Sequence, residues 1–214
     1  MTTITFRGLL LRPFEGRDAP VFTRAVLESV ETVGRWMPWC HDGYVDKDAL
    51  EWFAACRQGR EAQTSYEFGV FSEDGGEFLG GAGLNQINKQ HRICNLGYWV
   101  RSSRQRQQIA SRRVQVLSQY AFDTLALHRL EIVVAVGNEA SEGVARKSGA
   151  LFECIARNRL LLRDVSVPAS VFSLVPSSRT SAHEARLQQD YHQPNHWACG
   201  DDTSRLSATN TIPL

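Results

Sequence analysis

No apolar run in this 214-residue chain approaches the roughly 18 to 20 residues that a membrane-spanning helix needs. Its first sixteen residues, MTTITFRGLLLRPFEG, hold only a three-leucine run and no small-residue cleavage pattern, so no signal peptide is expected. An excess of charge of one sign is missing as well. Lys and Arg total 24 against 23 Asp and Glu, a net charge of +1, so there is no global field of the kind that draws in nucleic acid or another polyanion. The five cysteines (Cys40, Cys56, Cys94, Cys154, Cys199) are odd in number and form no C-x-x-C pair. Free thiols in a reducing cytoplasm are therefore expected rather than a disulfide framework. What is present, 43% hydrophobic and 22% charged residues, suits one well-cored domain with or without a tail.

Taken in order, residues 9–14 (LLLRPF) are predicted as a strand closed by Pro13. Arg17 and Asp18 open a helix that Val21, Phe22, Ala25, Val26 and Val30 continue at helical spacing. Pro38 keeps Trp36-Met37-Pro38-Trp39 out of a helix, and its tryptophans either pack at the domain edge or line a cleft. A second helix is capped by Asp46 or Asp48, runs through Ala49, Leu50, Trp52, Phe53 and Cys56, and ends near Gly59. From Tyr66 the apolar period becomes two, with Phe68, Val70 and Phe71 completing a strand before the turn Glu73-Asp74-Gly75-Gly76. Residues 78–87 (FLGGAGLNQI) return as a strand whose three glycines mark a bulge or a close approach to the backbone. A polar turn at 88–92 leads into the next strand, 93–100, so this part of the sheet is an antiparallel meander.

Residues 96–114, LGYWVRSSRQRQQIASRRV, hold the centre of the chain. An apolar strand passes through a turn rich in Arg and Ser into an amphipathic helix carried by Ile109, Val114, Leu117 and Tyr120 or Ala121. The first N–H groups of such a helix lack partners and its dipole favours negative charge, which makes an anion site. Arg101, Arg104, Arg106, Arg112 and Arg113 crowd the turn, either for a phosphorylated ligand or as a solvated basic rim. RNA binding is disfavoured because no aromatic platform is interleaved with these arginines. The strand 129–136 follows a helix and can pair parallel to the strand before it. Asn138 caps a further helix ending at Lys147-Ser148-Gly149, and 151–162 with 170–175 form a last hairpin. The order is β-α-α-β-β-β-α-β-α-β-β over residues 1–176. Residues 177–214 are polar and predicted disordered. In that tail His192, His196 and Cys199, near Asp190 and Asp201, have a spacing a metal can use, but they are read as a chance cluster and no metal is predicted.

This order of elements resembles the GNAT acetyltransferase superfamily, and within it the RimJ/RimL type. The resemblance is carried by LLLRPFEGRDA at 9–19, the Trp36–Trp39 loop, LGYWV at 96–100, LHRLEIVVAVGNEAS at 127–141 and ARKSGALFE at 145–153. It implies a mixed α+β fold, with a mostly antiparallel sheet, one splayed parallel strand pair and flanking helices. It also implies transfer of acetyl from acetyl-CoA to a primary amine, either a protein N-terminal α-amine or a small-molecule amine. Pantetheine would lie against Trp99 and Val100, and the pyrophosphate against the turn made by Arg101, Arg106, Gln107, Gln108, Ile109 and Ala110. Asn138 matches an asparagine near the pantetheine, and Ser141 a serine that protonates the departing thiolate. Both also read as ordinary first-turn helix residues. The family's members are monomers or homodimers.

The chain departs from that pattern in its phosphate loop, R/Q-x-x-G-x-G/A. Here it reads Ser103-Arg104-Gln105-Arg106-Gln107-Gln108, so Arg106 and Gln108 stand at the glycine positions and weaker CoA binding is expected. Carboxylates are thin too. Cys94-Asn95 replaces an Ala-Glu pair, and Ala169 aligns where relatives carry an Asp. As general base this leaves Glu67, His41 and Asp42. Glu67 also reads as a solvent-facing strand residue, and that reading is preferred. The alternative to an enzyme is a non-catalytic GNAT-fold scaffold that has lost CoA.

Overall fold

The computed structural model describes residues 2–176. The polar tail, with His192, His196 and Cys199, lies outside them. Among the described residues the strands join in one eight-stranded sheet. Strands β2 (Leu9–Arg12), β3 (Tyr66–Ser72), β4 (Phe78–Asn88) and β5 (Ile93–Val100) form the antiparallel meander. A short edge strand not foreseen in the sequence, β1 (Ile4–Phe6), pairs with β2. It turns through Arg7 and Gly8, both at positive φ (45° and 81°), the geometry of a tight hairpin turn. Strand β6 (Arg129–Ala135) lies parallel to β5, and β7 (Leu151–Leu162) with β8 (Val165–Leu174) closes the far side.

The parallel pair is short. Only Ile93, Cys94 and Asn95 of β5 face Arg129, Leu130 and Glu131 of β6. Beyond them β5 stays paired to β4 alone and β6 to β8 alone, so the strands part and leave backbone groups of 96–100 unpaired on that side. Alternation along the strands builds two cores. Leu9, Leu11, Phe68, Val70, Leu96 and Leu130 pack with Val114 and Leu117 of α3 (Ile109–Gln119) and Ala145 of α4 (Glu139–Lys147). Phe14, Phe71 and Phe78 pack instead with Phe22 and Val26 of α1 (Ala19–Leu27) and Phe53 of α2 (Asp46–Glu61).

Several boundaries move, each for a local reason. The first strand stops at Arg12, freeing Phe14 to stack on Phe53 at 4.5 Å between ring centroids. Arg17 and Asp18 sit in a 3₁₀ turn ahead of α1, where buried Asp18 accepts two hydrogen bonds from Arg12 at 2.7 and 2.8 Å. Helix α1 ends at Leu27 instead of continuing to Val30, which releases Glu28, Ser29 and Thr32 for the site below. Gly59 does not end α2. A Cβ there would lie 2.1 Å from Ser65 Oγ, so this glycine makes room for a neighbour inside a helix that continues to Glu61. The last strand starts at Val165, five residues before the predicted 170, because Arg163 and Asp164 turn the hairpin at φ 48° and 64° without glycine or asparagine to signal it.

Candidate functional site

The central turn is built from the residues that α1 released. Arg101 donates to both Glu28 carboxylate oxygens at 2.9 and 2.5 Å and to the Phe78 carbonyl at 3.1 Å. The Glu28 carboxylate also accepts Ser103 N and Oγ, at 3.1 and 2.8 Å, and Ser29 Oγ accepts Ser102 N at 3.0 Å. The Arg101 hydrogen bond holds the Glu28 carboxyl down at about 2, against the effect of burial. Arg104 pairs with Glu77 at 2.7 Å, and Arg112 donates to the carbonyls of Arg7 and Gln107 at 2.8 and 3.0 Å.

Arg113 is fully buried with no carboxylate beside it. It donates to the carbonyls of Leu79, Gly81 and Trp99 at 3.0, 3.3 and 2.6 Å, and its Nε has no partner. Burial pushes the guanidinium down to about 9. Four of the five arginines are thus engaged by the protein itself. Arg106 is exposed and makes no ion pair or hydrogen bond among the described residues.

Arg106 and Gln108 adopt φ of 62° and 57°, the left-handed conformation that favours glycine. Both positions therefore hold a backbone that glycine adopts most readily, although neither carries glycine. Gln108 caps α3 without a side-chain bond, and the first intrahelical bond of α3 is Arg112 N to Gln108 O at 3.3 Å. The N–H groups of Ile109, Ala110 and Ser111 precede it and lack helical acceptors. At the head of α4, Asn138 Oδ1 accepts Ser141 N at 3.2 Å, so it is a helix cap as expected. Ser141 in turn meets Tyr98 of β5, whose hydroxyl lies 3.2 Å from Ser141 Oγ and 3.1 Å from its carbonyl. Burial raises the Tyr98 phenol to about 12, opposed by the bond to Ser141. Sequence reasoning missed this pair, since 43 positions separate the residues and nothing local links them.

On the opposite face of β3–β5 lies a cavity of about 560 Å³. Its floor is Gly81 and Gly97 with Asn85, and its walls carry Phe22, Trp39, Tyr44, Trp52 and Trp99. Glu67 is at its edge and is not the solvent-facing residue preferred from the sequence. It is half-buried and lies across Gly83, where a Cβ would come 1.7 Å from Oε2. Asn85 Nδ2 donates to Glu67 Oε1 at 3.0 Å, and Asn95 Nδ2 to Asn85 Oδ1 at 2.9 Å. Burial raises the Glu67 carboxyl above the ordinary range, while Asn85 and Arg60 oppose the rise. Trp99 covers Gly81 in the same way, with a Cβ there 2.6 Å from its Nε1. Gly80 has φ +135° at a shift in strand register. The three glycines therefore mark both a bulge and close approaches, with the chain's own side chains as the approaching groups. His41 and Asp42 are exposed and outside the cavity wall, and Ala169 is buried in β8.

This arrangement can hold an anion at the head of α3, leave an extended ligand free backbone along β5, and offer a shielded carboxylate and a hydroxyl pair for proton transfer. No helix among the described residues is long and apolar enough to cross a membrane. The family model for the acetyltransferase (GNAT) domain matches residues 8–151. The chain is similar to YdaF of Bacillus subtilis, a proposed ribosomal N-acetyltransferase, with 26% identity over 78% of this chain and 91% of that protein. Among solved structures, a proposed ribosomal-protein-serine acetyltransferase from Vibrio cholerae superposes with a TM-score of 0.74 at 28% identity, covering 82% of this chain and 98% of that one. RimJ of Mycobacterium smegmatis, in complex with CoA-disulfide, shares the fold with a TM-score of 0.73 at 22% identity, covering 86% and 89%.

Proposed function

The chain belongs to the GNAT acetyltransferase family, and from that premise we propose that it moves an acetyl group from acetyl-CoA to a primary amine seated in the aromatic cavity. The acceptor is either a protein N-terminal α-amine, as the names of its relatives suggest, or a small-molecule amine. The observation that carries this reading is Glu67, a shielded carboxylate of raised pKa at the wall of a cavity formed on β3, β4 and β5, the last of which parts from β6.

The residues present fit acetyl-CoA. The unpaired backbone of 96–100 can bond a pantetheine arm, with Trp99 and Val100 beside it and Asn138 at its far edge. The N–H groups of Ile109 and Ala110, with Gln107, Gln108 and the unpaired Arg106 around them, suit a pyrophosphate. Arg101 contributes indirectly, because its charge is committed to Glu28. In the reaction the amine nitrogen bonds the acyl carbon and the carbon–sulfur bond breaks. Glu67 takes the proton the amine gives up and releases it to solvent, while Ser141 Oγ–H, backed by the Tyr98 hydroxyl, passes one to the thiolate and is itself reprotonated from solvent. Strand N–H groups near Val100 are the donors placed for the developing oxyanion. A thiolate whose thiol pKa is about 8.5 needs only modest acid assistance.

The test is release of CoA thiol in the presence of an amine, followed over pH. The activity of Glu67→Gln should fall on the order of a hundredfold, and the decline of native kcat/KM on acidification, once rates are expressed per neutral amine, should be absent from the variant. A Glu67→Gln enzyme with unchanged rate and pH profile would remove this residue as the base.

A further inference from the structure

Resting on the acetyl-transfer reading, the chemistry of the cavity narrows the acceptor further. We infer that the acceptor is a primary amine carrying a flat apolar group, supplied either as a free arylalkylamine or as the aromatic N-terminal residue of a peptide. Helix α2 turns one face to the cavity, made by Asp48, Glu51, Trp52 and Ala55, which recur at helical spacing. Trp52 is 42% exposed and Trp39 38% exposed. These are large rings left partly bare at a cavity wall, and a flat apolar occupant would cover them. Deeper in, Trp39 meets Trp99 edge-to-face at 5.4 Å and Phe22 meets Trp99 at 5.5 Å. Trp39, Trp99 and Phe22 thereby form one connected ring cluster, and Trp52 lines the same cavity from α2.

The charge in the lining has one sign. Asp48, Glu51 and Glu67 are acidic, and no lysine or arginine belongs to the wall. Carboxylates at the rim and exposed aromatic faces both attract an ammonium group, and Glu67 stands where its proton must leave. An anionic acceptor would meet repulsion, and a small polar amine would leave the tryptophans wet.

The experiment compares kcat/KM at fixed acetyl-CoA for tryptamine and 2-phenylethylamine against ethylamine and ethanolamine, and for a Trp-led against a Ser-led tripeptide. Acceptors with an aromatic group should be preferred about ten- to a hundredfold, the discrimination that an apolar pocket delivers. The free-amine and peptide arms separate the two sources. Trp52→Ala should collapse the tryptamine-to-ethylamine ratio toward one, while circular dichroism confirms that the variant is folded. Equal or faster transfer to ethanolamine or the Ser-led peptide overturns this inference and leaves the acetyl-transfer reading standing. Failure to acetylate any of the amines, although calorimetry shows acetyl-CoA bound, overturns both.

Discussion

Replacing Arg106 and Gln108 by glycine should make the protein more stable, in contrast to most double substitutions near a binding site. Both residues hold φ near 60° (62° and 57°), a conformation costing an L residue about 1–2 kcal/mol. Glycine removes that strain but loses about 0.5–1 kcal/mol more backbone entropy on folding. The difference is a gain of about 0 to 1.5 kcal/mol at each position. Neither side chain offsets it, because Arg106 makes no bond among the described residues and Gln108 gives α3 no side-chain cap. The two sites are only two residues apart, so the double variant need not show the simple sum. A gain of about 1 kcal/mol corresponds to about 2–4 °C in Tm for a domain of this size. Urea denaturation of both single variants and the double variant, read at constant m, measures the effect. Calorimetric titration with acetyl-CoA then separates strain from recognition. Gln108→Gly should tighten binding by clearing the backbone for phosphate. Arg106→Gly should weaken it about tenfold, by removing the one unengaged guanidinium of the turn. A glycine variant less stable than the native protein by more than about 0.5 kcal/mol would refute the strain argument.

Three further outcomes follow from the same geometry. Gly83→Ala places a methyl where Glu67 Oε2 now lies, at 1.7 Å; it should lower kcat about ten- to a hundredfold and flatten the acid limb, with substrate KM little changed, as steady-state kinetics over pH will show. Arg113→Met leaves the carbonyls of Leu79, Gly81 and Trp99 without their donor; it should cost about 3 kcal/mol or more, measured by urea unfolding. Glu28 and Glu153 are both held at about 2, chiefly by hydrogen bonds from Arg101 and Arg129. A depressed carboxyl stabilises the fold above the ordinary glutamate range and loses that contribution as pH falls toward 2. Their side chains are 29% and 38% exposed, so solvent screening limits each to about 1 kcal/mol, and Glu28→Gln and Glu153→Gln should each shrink the acid-induced loss of stability by that amount.

The strand–turn–helix at the centre was legible because three signals coincide there: apolar alternation ending at Val100, a cluster of arginines, and helical spacing from Ile109. The cap at Asn138 was legible from its residue type alone. Signals that depend on partners far along the chain were not. Arg101 and Arg104 read as part of a turn for phosphate or as a solvated basic rim, because Glu28 and Glu77, 73 and 27 positions away, claim them only once the fold is formed. Glu67 read as solvent-facing because period-two alternation reports a side of the sheet and not what covers it. Only Gly83 opposite, with Asn85 two positions on, shows that the carboxylate lies flat over the neighbouring strand. The turns at Arg7 and at Arg163-Asp164 went unpredicted for a different reason. They reach positive φ mainly with residues that carry no turn signature.

The two halves of the site depend on the register of one strand. Along β5, Leu96 and Tyr98 face α3 and α4, where Tyr98 meets Ser141. Gly97 and Trp99 face the aromatic cavity. A slip of one residue against β4 would exchange these sets, putting the hydroxyl pair on the acceptor side and the tryptophan against α4. The pairing is therefore fixed from both faces. Gly81 and Gly83 admit Trp99 and Glu67 closely enough that only glycine fits beneath either side chain. From the other face, Arg113 gathers the carbonyls of Leu79 and Gly81 on β4 with that of Trp99 on β5, directly at the bulge that Gly80 creates. A buried guanidinium with no counter-ion is a costly way to join two strands. Its three carbonyl bonds offset that cost by holding the end of β5 in register, where the strand leaves β6 and the donor and acceptor sides of the reaction meet.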